Sequence, residues 1–150
     1  MIRDGKAPVV VVGQNYRSMV YLENLSQGIL LAANKPIANN KVYWIADREA
    51  YRMIEIIDTI EHVMREEYSI KCSGKRLKLP SFVSEIAWLV DKTIQGAGLY
   101  HQKFHVLSEM NKNIACSIAK AIEELGYDPK VALREGIHLS LAEFAGKENA

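Results

Sequence analysis

Apolar residues recur at helical spacing in five segments of the chain, and this periodicity predicts five helices. The predicted helices are Glu23–Ala33, Tyr51–Tyr68, Phe82–Val90, Ile118–Leu125 and Leu133–Phe144. Gly126 directly follows the fourth segment, at the position where a helix C-terminus favours glycine. A largely helical chain is therefore expected.

Three short apolar runs predict strands. These runs are Val9–Val12, Ser18–Tyr21 and Val42–Ile45. The first and third are continuously apolar, which is typical of strands covered on both faces of a parallel α/β sheet. Three strands are too few for such a sheet among five helices, so we expect the partner strands to belong to a segment absent from this chain. An all-helical bundle with a small hairpin is the alternative.

The composition is that of one globular domain and argues against several classes of protein. The 150 residues are 49% hydrophobic and 25% charged, which is ordinary for a folded domain. No apolar run reaches the roughly 18 residues of a transmembrane helix, so no membrane partner is expected. The 19 basic and 18 acidic side chains nearly balance, so nucleic acid is not the expected partner. Cys72 and Cys116 are too few for a disulfide framework, which suits a cytoplasmic protein.

One basic cluster lies between the second and third predicted helices. It consists of Lys71, Lys75, Arg76 and Lys78. A phosphate-binding or nucleic-acid-binding patch is possible in principle, but a solvated loop is the favoured interpretation. Cys72 lies beside these cations, which could lower the pKa of its thiol and make it reactive. With no histidine nearby in the sequence, a plain, partly buried thiol is the favoured interpretation.

Two tryptophans and one ion pair are expected to be structural. Trp44 and Trp88 fall within apolar strand and helix patterns, which predicts that both lie in the core. Glu61 and Arg65 are four residues apart on a predicted helix, a spacing that favours a weakly stabilising surface ion pair.

A metal site is a further hypothesis. His101, His105 and Glu109 are spaced by four residues, which on a helix would place two imidazoles and a carboxylate on one face. The segment follows Gly96 and Gly98 and has no helical apolar stripe. A loop without a metal is therefore the favoured interpretation.

Three stretches, in this order, resemble one family. "RSMVYLENLSQGILLAA" (Arg17–Ala33) resembles the R-D-[FY]-[VI]-[YH]-V-x-D-[LV] stretch of extended short-chain dehydrogenase/reductases. These are the NAD-dependent nucleotide-sugar epimerases and dehydratases and their hydroxysteroid-dehydrogenase relatives. "NNKVYWIADREAYRMIEIIDTI" (Asn39–Ile60) is similar to the family's G-x-x-Y-N-[IL]-x-[DGS] strand and following helix. "SIAKAIEELGYDPKVALREGI" (Ser117–Ile137) is similar to its D-x-S-K-A-x-x-x-L-G-[YW]-x-P-x-x-x-[LF]-x-E-G-[IL] ending.

This resemblance implies an α/β fold of a particular kind. The chain would be the mostly helical substrate-binding subdomain of an extended Rossmann-type enzyme, with a few strands. It would correspond to the carboxy-terminal half only, with the amino-terminal dinucleotide-binding part absent. The whole of residues 1–150 would then form that one substrate-binding part.

The groups that carry the family's chemistry are missing from the sequence. The nine glycines never form the G-x-x-G-x-x-G fingerprint that lets a dinucleotide pyrophosphate approach a helix N-terminus. None of the seven tyrosines has a lysine four residues later, so the family's Tyr-x-x-x-Lys base is absent. We therefore expect no catalytic residue and no cofactor bound by this chain alone, although the resemblance implies NAD(P) for a full-length enzyme.

The resemblance also implies a set of substrate-binding residues. Arg17 corresponds to the arginine that binds the substrate pyrophosphate in nucleotide-sugar members. Met19, in place of the usual aromatic residue, and Tyr21 belong to the same stretch. The strand that faces the nucleotide base corresponds to Val10, Val11 and Val12.

The usual second arginine of the pyrophosphate clamp has no counterpart. Its position falls on Leu107, and no arginine lies between Arg76 and Arg134. His105 and Lys112 are the candidate substitutes.

Two functions follow as expectations. In the first, the chain is the substrate-binding half of a nucleotide-sugar epimerase/dehydratase-like enzyme and is inert alone, because positioning without a hydride acceptor lowers no barrier. In the second, it is a truncated, non-catalytic module that forms a homodimer or pairs with a separate Rossmann chain. A steroid-like substrate stays open at this point.

Overall fold

The computed structural model describes residues 2–5, 8–10, 13–79, 81–96, 98 and 112–148. Four short strands lie in this part of the chain: β1 (Pro8–Val10), β2 (Tyr16–Ser18), β3 (Ala50–Arg52) and β4 (Leu77–Leu79). Five α-helices accompany them: α1 (Leu22–Asn34), α2 (Met53–Glu66), α3 (Ser81–Gly96), α4 (Ala119–Leu125) and α5 (Leu133–Glu148). None of these helices is long and apolar enough to cross a bilayer.

The helices agree with the periodicity of the sequence. α1 and α2 begin and end within two residues of the predicted bounds, and α4 ends at Gly126, which adopts a φ of 63°. This left-handed conformation costs a glycine little, and the Gly126 N–H closes the last turn on Ile122 O at 2.9 Å. The prediction of an α/β chain with mostly helical structure is confirmed.

β1 pairs in parallel with β4, with Pro8 opposite Leu77 and Val10 opposite Leu79. Because a hairpin cannot join parallel strands, the alternative of a helical bundle with a small hairpin is wrong. β4 supplies one partner of β1 within the chain. The prediction that further strands of the sheet belong to a segment absent from this chain stays a prediction. Val11 and Val12, which were predicted to extend this strand, lie outside the described residues.

β2 is the centre of a second small sheet. It pairs antiparallel with β3, so that Arg17 lies opposite Tyr51. On its other edge, Ser18 N donates to Ile114 O at 3.0 Å and Ile114 N donates to Tyr16 O at 2.9 Å. The strand therefore lies closer to the N-terminus than the predicted Ser18–Tyr21, because Tyr21 already serves as the N-cap of α1.

The predicted strand Val42–Ile45 is wrong, because these residues join no ladder among the described strands. One backbone carbonyl of this segment is bonded by a side chain instead of a strand: Lys120 Nζ donates to Val42 O at 3.1 Å. The predicted burial of Trp44 is wrong as well, since 66% of its surface is exposed. Trp88 on α3 is 45% exposed, where Lys92 Nζ lies 5.0 Å from its ring centroid.

The core lies between α1, α4 and the segment that follows residue 42. Its buried members are Ala46, Ile118, Ala121, Leu125 and Tyr127. The Tyr127 hydroxyl donates to Ala46 O at 2.9 Å, so its one polar atom is satisfied. On α1, Gly28 permits close packing: a Cβ there would lie 2.8 Å from Ile45 Cγ2.

The predicted pair of Glu61 with Arg65 is wrong. Glu61 is buried on α2 and pairs instead with Arg76, which also donates to Asp58 at 2.8 Å. A buried carboxylate favours the nearest cation that can be buried with it. Arg76 therefore belongs to a structural ion pair, whereas Lys71 and Lys75 of the same basic cluster are exposed.

Cys72 lies beside this ion pair and is half-buried. Burial raises the pKa of its thiol, and the negative charge of Glu61 raises the pKa further. The thiolate is thus disfavoured, and the prediction that the Cys72 thiol is partly buried is confirmed.

Glu67, which directly follows α2, contacts two side chains of α5. This carboxylate accepts a hydrogen bond from Arg134 at 3.0 Å and contacts the His138 ring. Next to it, the Tyr68 hydroxyl donates to His138 O at 3.0 Å. Hydrogen bonds from Arg134 and His138 lower the pKa of Glu67 below its ordinary value of 4.5.

A Glu67→Gln substitution is expected to reduce the amount by which the free energy of unfolding falls as the pH is lowered. Because the folded pKa of Glu67 is depressed, its contribution is present above the ordinary pKa and is lost as the pH falls through the folded pKa. Urea unfolding at a series of pH values between about 3 and 6 measures this loss. Glu66→Gln, which changes an exposed neighbour, is the matched control and should keep the parent slope; equal slopes for the parent and Glu67→Gln would contradict the assignment.

Candidate functional site

A cavity of about 760 Å³ opens beside β2. Three chain segments form its walls: residues 18–20, residues 44–46 and residues 113–117. Its lining is mostly apolar, with polar groups from Ser18, Asn113, Cys116 and Ser117. No ionisable carboxylate or cationic side chain lines it among the described residues. We refer to it as the large cavity.

Hydrogen bonds to β2 hold the 113–117 wall in place. Asn113 Oδ1 accepts from Tyr16 N at 2.7 Å, and Ser18 Oγ accepts from Cys116 N at 3.0 Å. Serine at position 18 thus binds backbone, where the family pattern has aspartate. The wall of the large cavity is fixed by the strand that also carries Arg17.

Exposed apolar side chains lie at and next to the large cavity: Trp44 and Ile114 line it, and Val42 lies two residues before Trp44. Val42 is 79% exposed, Trp44 66% and Ile114 50%. We call these three residues the open apolar face. Large apolar side chains gathered at one cavity are characteristic of surfaces that contact another protein segment or a ligand.

The predicted substrate-binding residues fall in three places. Met19 lines the large cavity and, with Tyr21, a second, smaller cavity. Arg17 is half-buried in the middle of β2 and is not in the lining of the large cavity. Because side chains alternate along a strand and Ser18 faces the large cavity, Arg17 belongs to the opposite face of β2. Val10 ends β1 opposite Leu79.

The remaining candidates lie outside the described residues. Val11 and Val12 of the substrate set, and His101, His105 and Glu109 of the metal hypothesis, are among them. Within the residues that are described, no cluster of three or more His, Cys, Asp or Glu side chains could hold a metal ion. Lys112, a candidate partner for the phosphate, is exposed, and its backbone carbonyl accepts from Asn15 Nδ2 at 3.4 Å.

A buried amide network that the sequence analysis missed positions the whole region. Asn24 on α1 donates to Asp47 Oδ1 at 2.9 Å and to Val131 O at 2.7 Å. Its Oδ1 accepts from Lys130 N at 3.1 Å and from Val131 N at 3.2 Å. The signal in the sequence was a polar residue between apolar helix positions, at the place where the family stretch has aspartate.

The tyrosines whose pKa values shift are unsuited to base catalysis. Burial and the neighbouring Glu124 carboxylate raise the pKa of Tyr43 to about 12. Burial, with a smaller effect of the Asp47 charge, raises the pKa of Tyr127 to about 12. Burial also raises the pKa of Tyr51. Each shift disfavours the phenolate that would remove a proton at neutral pH.

The described strand-to-helix junctions do not fit NAD(P). A dinucleotide pyrophosphate needs a glycine-rich turn that exposes backbone N–H groups at a helix N-terminus. The β2–α1 junction passes through Met19, Val20 and Tyr21, and α2 follows β3 directly. The β4–α3 junction contains Pro80. None of these three junctions contains a glycine, so no reaction step is assigned to a cofactor held by this chain.

The known sequences that are similar to this chain belong to longer proteins. No known family profile matches it. It is 48% identical over 141 residues to the uncharacterized protein y4nL of Sinorhizobium fredii, covering 94% of this chain and 40% of that protein. It is 27% identical over 152 aligned positions to 3beta-hydroxysteroid-dehydrogenase/decarboxylase isoform 1 of Arabidopsis thaliana. This alignment covers 95% of this chain and 35% of that protein. The chain thus spans about two fifths, or less, of the length of these curated relatives.

Two solved structures with a similar fold are UDP-sugar 4-epimerases. UDP-glucose 4-epimerase of Thermotoga maritima, solved with UDP-glucose, matches with a TM-score of 0.62 and 20% identity over 99% of this chain and 37% of its own. UDP-glucuronic acid 4-epimerase of Bacillus cereus, in complex with NAD, matches with a TM-score of 0.52 and 17% identity. The match covers 87% of this chain and 31% of the epimerase. The chain therefore has the fold of one part of these NAD-dependent epimerases, as the resemblance in its sequence implied.

Proposed function

We propose that the chain is the substrate-binding part of an NAD(P)-dependent nucleotide-sugar epimerase/dehydratase-like enzyme and is catalytically inert alone. The observation that carries this proposal is the open apolar face of Val42, Trp44 and Ile114 at and next to the large cavity. A partner that bears the dinucleotide site would bury this surface. The match to 37% of a UDP-glucose 4-epimerase supports the same division of the enzyme.

Arg17 would hold the substrate phosphate on the other face of β2. The strand is bonded to β3 on one edge and to Ile114 on the other, so its backbone is fixed on both sides. The guanidinium offers a planar fork of donors, which suits a pyrophosphate. The role of this part is to bind and orient the substrate; hydride transfer and proton abstraction would require groups from the partner.

Arg17→Ala is expected to weaken UDP-glucose binding to the chain by about tenfold or more, because a charge-assisted contact to phosphate is lost. Arg17→Lys should recover part of the affinity, since it keeps the charge and loses the bidentate geometry. Isothermal titration calorimetry measures both. Arg52→Ala is the matched control, because Arg52 is an exposed arginine on the adjacent strand and should bind like the parent. Equal affinities for the Arg17 and Arg52 variants would refute the assignment.

The open apolar face favours a second function, a non-catalytic module that self-associates or pairs with a separate dinucleotide-binding chain. Two copies could cover the face by bringing Trp44 and Val42 of each against the other. Sedimentation velocity distinguishes the two functions. A defined dimer that the Trp44→Ser substitution converts to monomer favours the module, whereas a parent monomer or heterogeneous aggregate favours the enzyme part.

A further inference from the structure

A second, smaller cavity lies behind the 19–21 segment, on the side of α2 and α5. Its volume is about 250 Å³. The walls are mostly apolar residues of the 19–21 segment, α2 and α5, with Ser140 as a hydroxyl group and Asp47 as the acidic group. An apolar cavity of roughly 150 Å³ already holds benzene, so this space accommodates a substituted six-membered ring.

Asp47 gives this cavity its chemical character. Only 5% of the residue is exposed, and its Oδ1 accepts hydrogen bonds from Tyr21 N at 3.3 Å and Asn24 Nδ2 at 2.9 Å. Both donors are neutral, and no basic side chain of the described residues forms an ion pair with Asp47.

Buried carboxylates in proteins are normally paired with a cation or fully hydrogen-bonded, because an uncompensated charge is costly to bury. Asp47 Oδ1 already accepts two hydrogen bonds, and the cavity beside it has room for a cation that would pair with the carboxylate charge. We infer that the cavity behind the 19–21 segment is a binding site for a small organic cation, with an apolar ring and a primary amine that meets Asp47. The site is separate from Arg17 and does not depend on the proposed enzymatic function.

Gly136 shapes the entrance of this site. A Cβ at this position would lie 3.3 Å from Tyr21 Cβ and Cδ2, so glycine lets α5 approach the Tyr21 ring closely. Tyr21 thus lines the cavity together with Asp47, whose Oδ1 accepts from the Tyr21 N–H. An aromatic face beside a carboxylate is a suitable environment for an ammonium group.

Binding of benzylamine, benzyl alcohol and toluene to the 150-residue chain tests the inference. Benzylamine should bind about tenfold or more tightly than toluene, because only the amine can make a charge-assisted hydrogen bond to Asp47. Benzyl alcohol should fall between the two. Amide chemical shifts give the affinities, and the largest shifts should come from Tyr21, Asp47 and Gly136. Toluene binding as tightly as benzylamine would overturn the role of Asp47.

Three variants locate the site. Ser140→Leu adds volume to the cavity wall and should abolish benzylamine binding; Ala142→Leu adds the same kind of side chain two residues later, outside the lining, and should leave binding unchanged. Asp47→Asn keeps a carbonyl acceptor for Tyr21 N and should remove the preference for the amine while toluene still binds. Benzylamine binding that survives in Ser140→Leu, or no saturable binding to a folded parent, would overturn the inference.

Discussion

Replacing Asn24 with leucine is expected to lower the free energy of unfolding by at least about 3 kcal/mol. The substitution removes four hydrogen bonds at once. It leaves the N–H groups of Lys130 and Val131 and the carbonyl of Val131 without their partner, and the bonds of Val131 are buried. Leucine keeps the branching of asparagine at Cγ but is larger, so overpacking adds to the loss of hydrogen bonding at this buried position.

Urea unfolding followed by circular dichroism measures this effect. Asn34→Leu is the matched control, because Asn34 is exposed at the end of the same helix and bonds only Leu30 O, one turn earlier. It should change the stability by less than about 0.5 kcal/mol. If Asn24→Leu is no more destabilising than Asn34→Leu, the amide network does not join α1 to the 130–131 segment in solution.

Leu125→Ala is expected to cost about 2–5 kcal/mol, the range for deleting a fully buried leucine side chain. Leu125 has no exposed surface and packs in the core formed with Ala46, Ile118, Ala121 and Tyr127. α4 presents it directly before the Gly126 cap, so the cavity left by alanine cannot close by a shift of the helix end.

The same unfolding experiment on Ile122→Ala supplies the comparison. Ile122 lies one turn earlier on α4 and is exposed, so its truncation should cost less than half as much as that of Leu125. Equal losses for the two variants would mean that the core does not lie on the Leu125 side of α4.

The helices could be predicted from the sequence because their hydrogen bonds are local. The stripe from Met53 to Met64 requires only a neighbouring apolar surface, and α2 forms at the predicted place. Gly126 likewise follows from local geometry, since a left-handed C-cap needs no distant partner. These features do not depend on what covers the rest of the chain.

The strands depend on distant partners, and here the sequence was a poorer guide. Leu77–Leu79 was missed because three residues beside a basic cluster carry little pattern, although they pair with Pro8–Val10. Val42–Ile45 was predicted as a buried strand because it is apolar, but no neighbouring strand lies beside it among the described residues. Its apolar character fits the proposed partner surface, which explains why Trp44 is both strand-like in pattern and exposed.

The candidate site also contains residues that could be predicted from the sequence and residues that could not. The stretch from Arg17 to Tyr21 could be selected from the sequence because its order of residue types resembles a known pattern. The roles of Asn24 and Asp47 could not, because each depends on residues about 20 to 100 positions away. A polar residue inside a helical apolar pattern signals a buried hydrogen bond, but not its partner.

The central claim is that the chain carries substrate contacts without cofactor contacts. Calorimetric titration of the unmodified chain with UDP-glucose and, separately, with NAD⁺ tests it most directly. The account predicts saturable heat with UDP-glucose and none with NAD⁺, because Arg17 is present and a glycine-rich turn is absent from the described strand-to-helix junctions. Saturable binding of NAD⁺, or no binding of UDP-glucose to the folded chain, would contradict it.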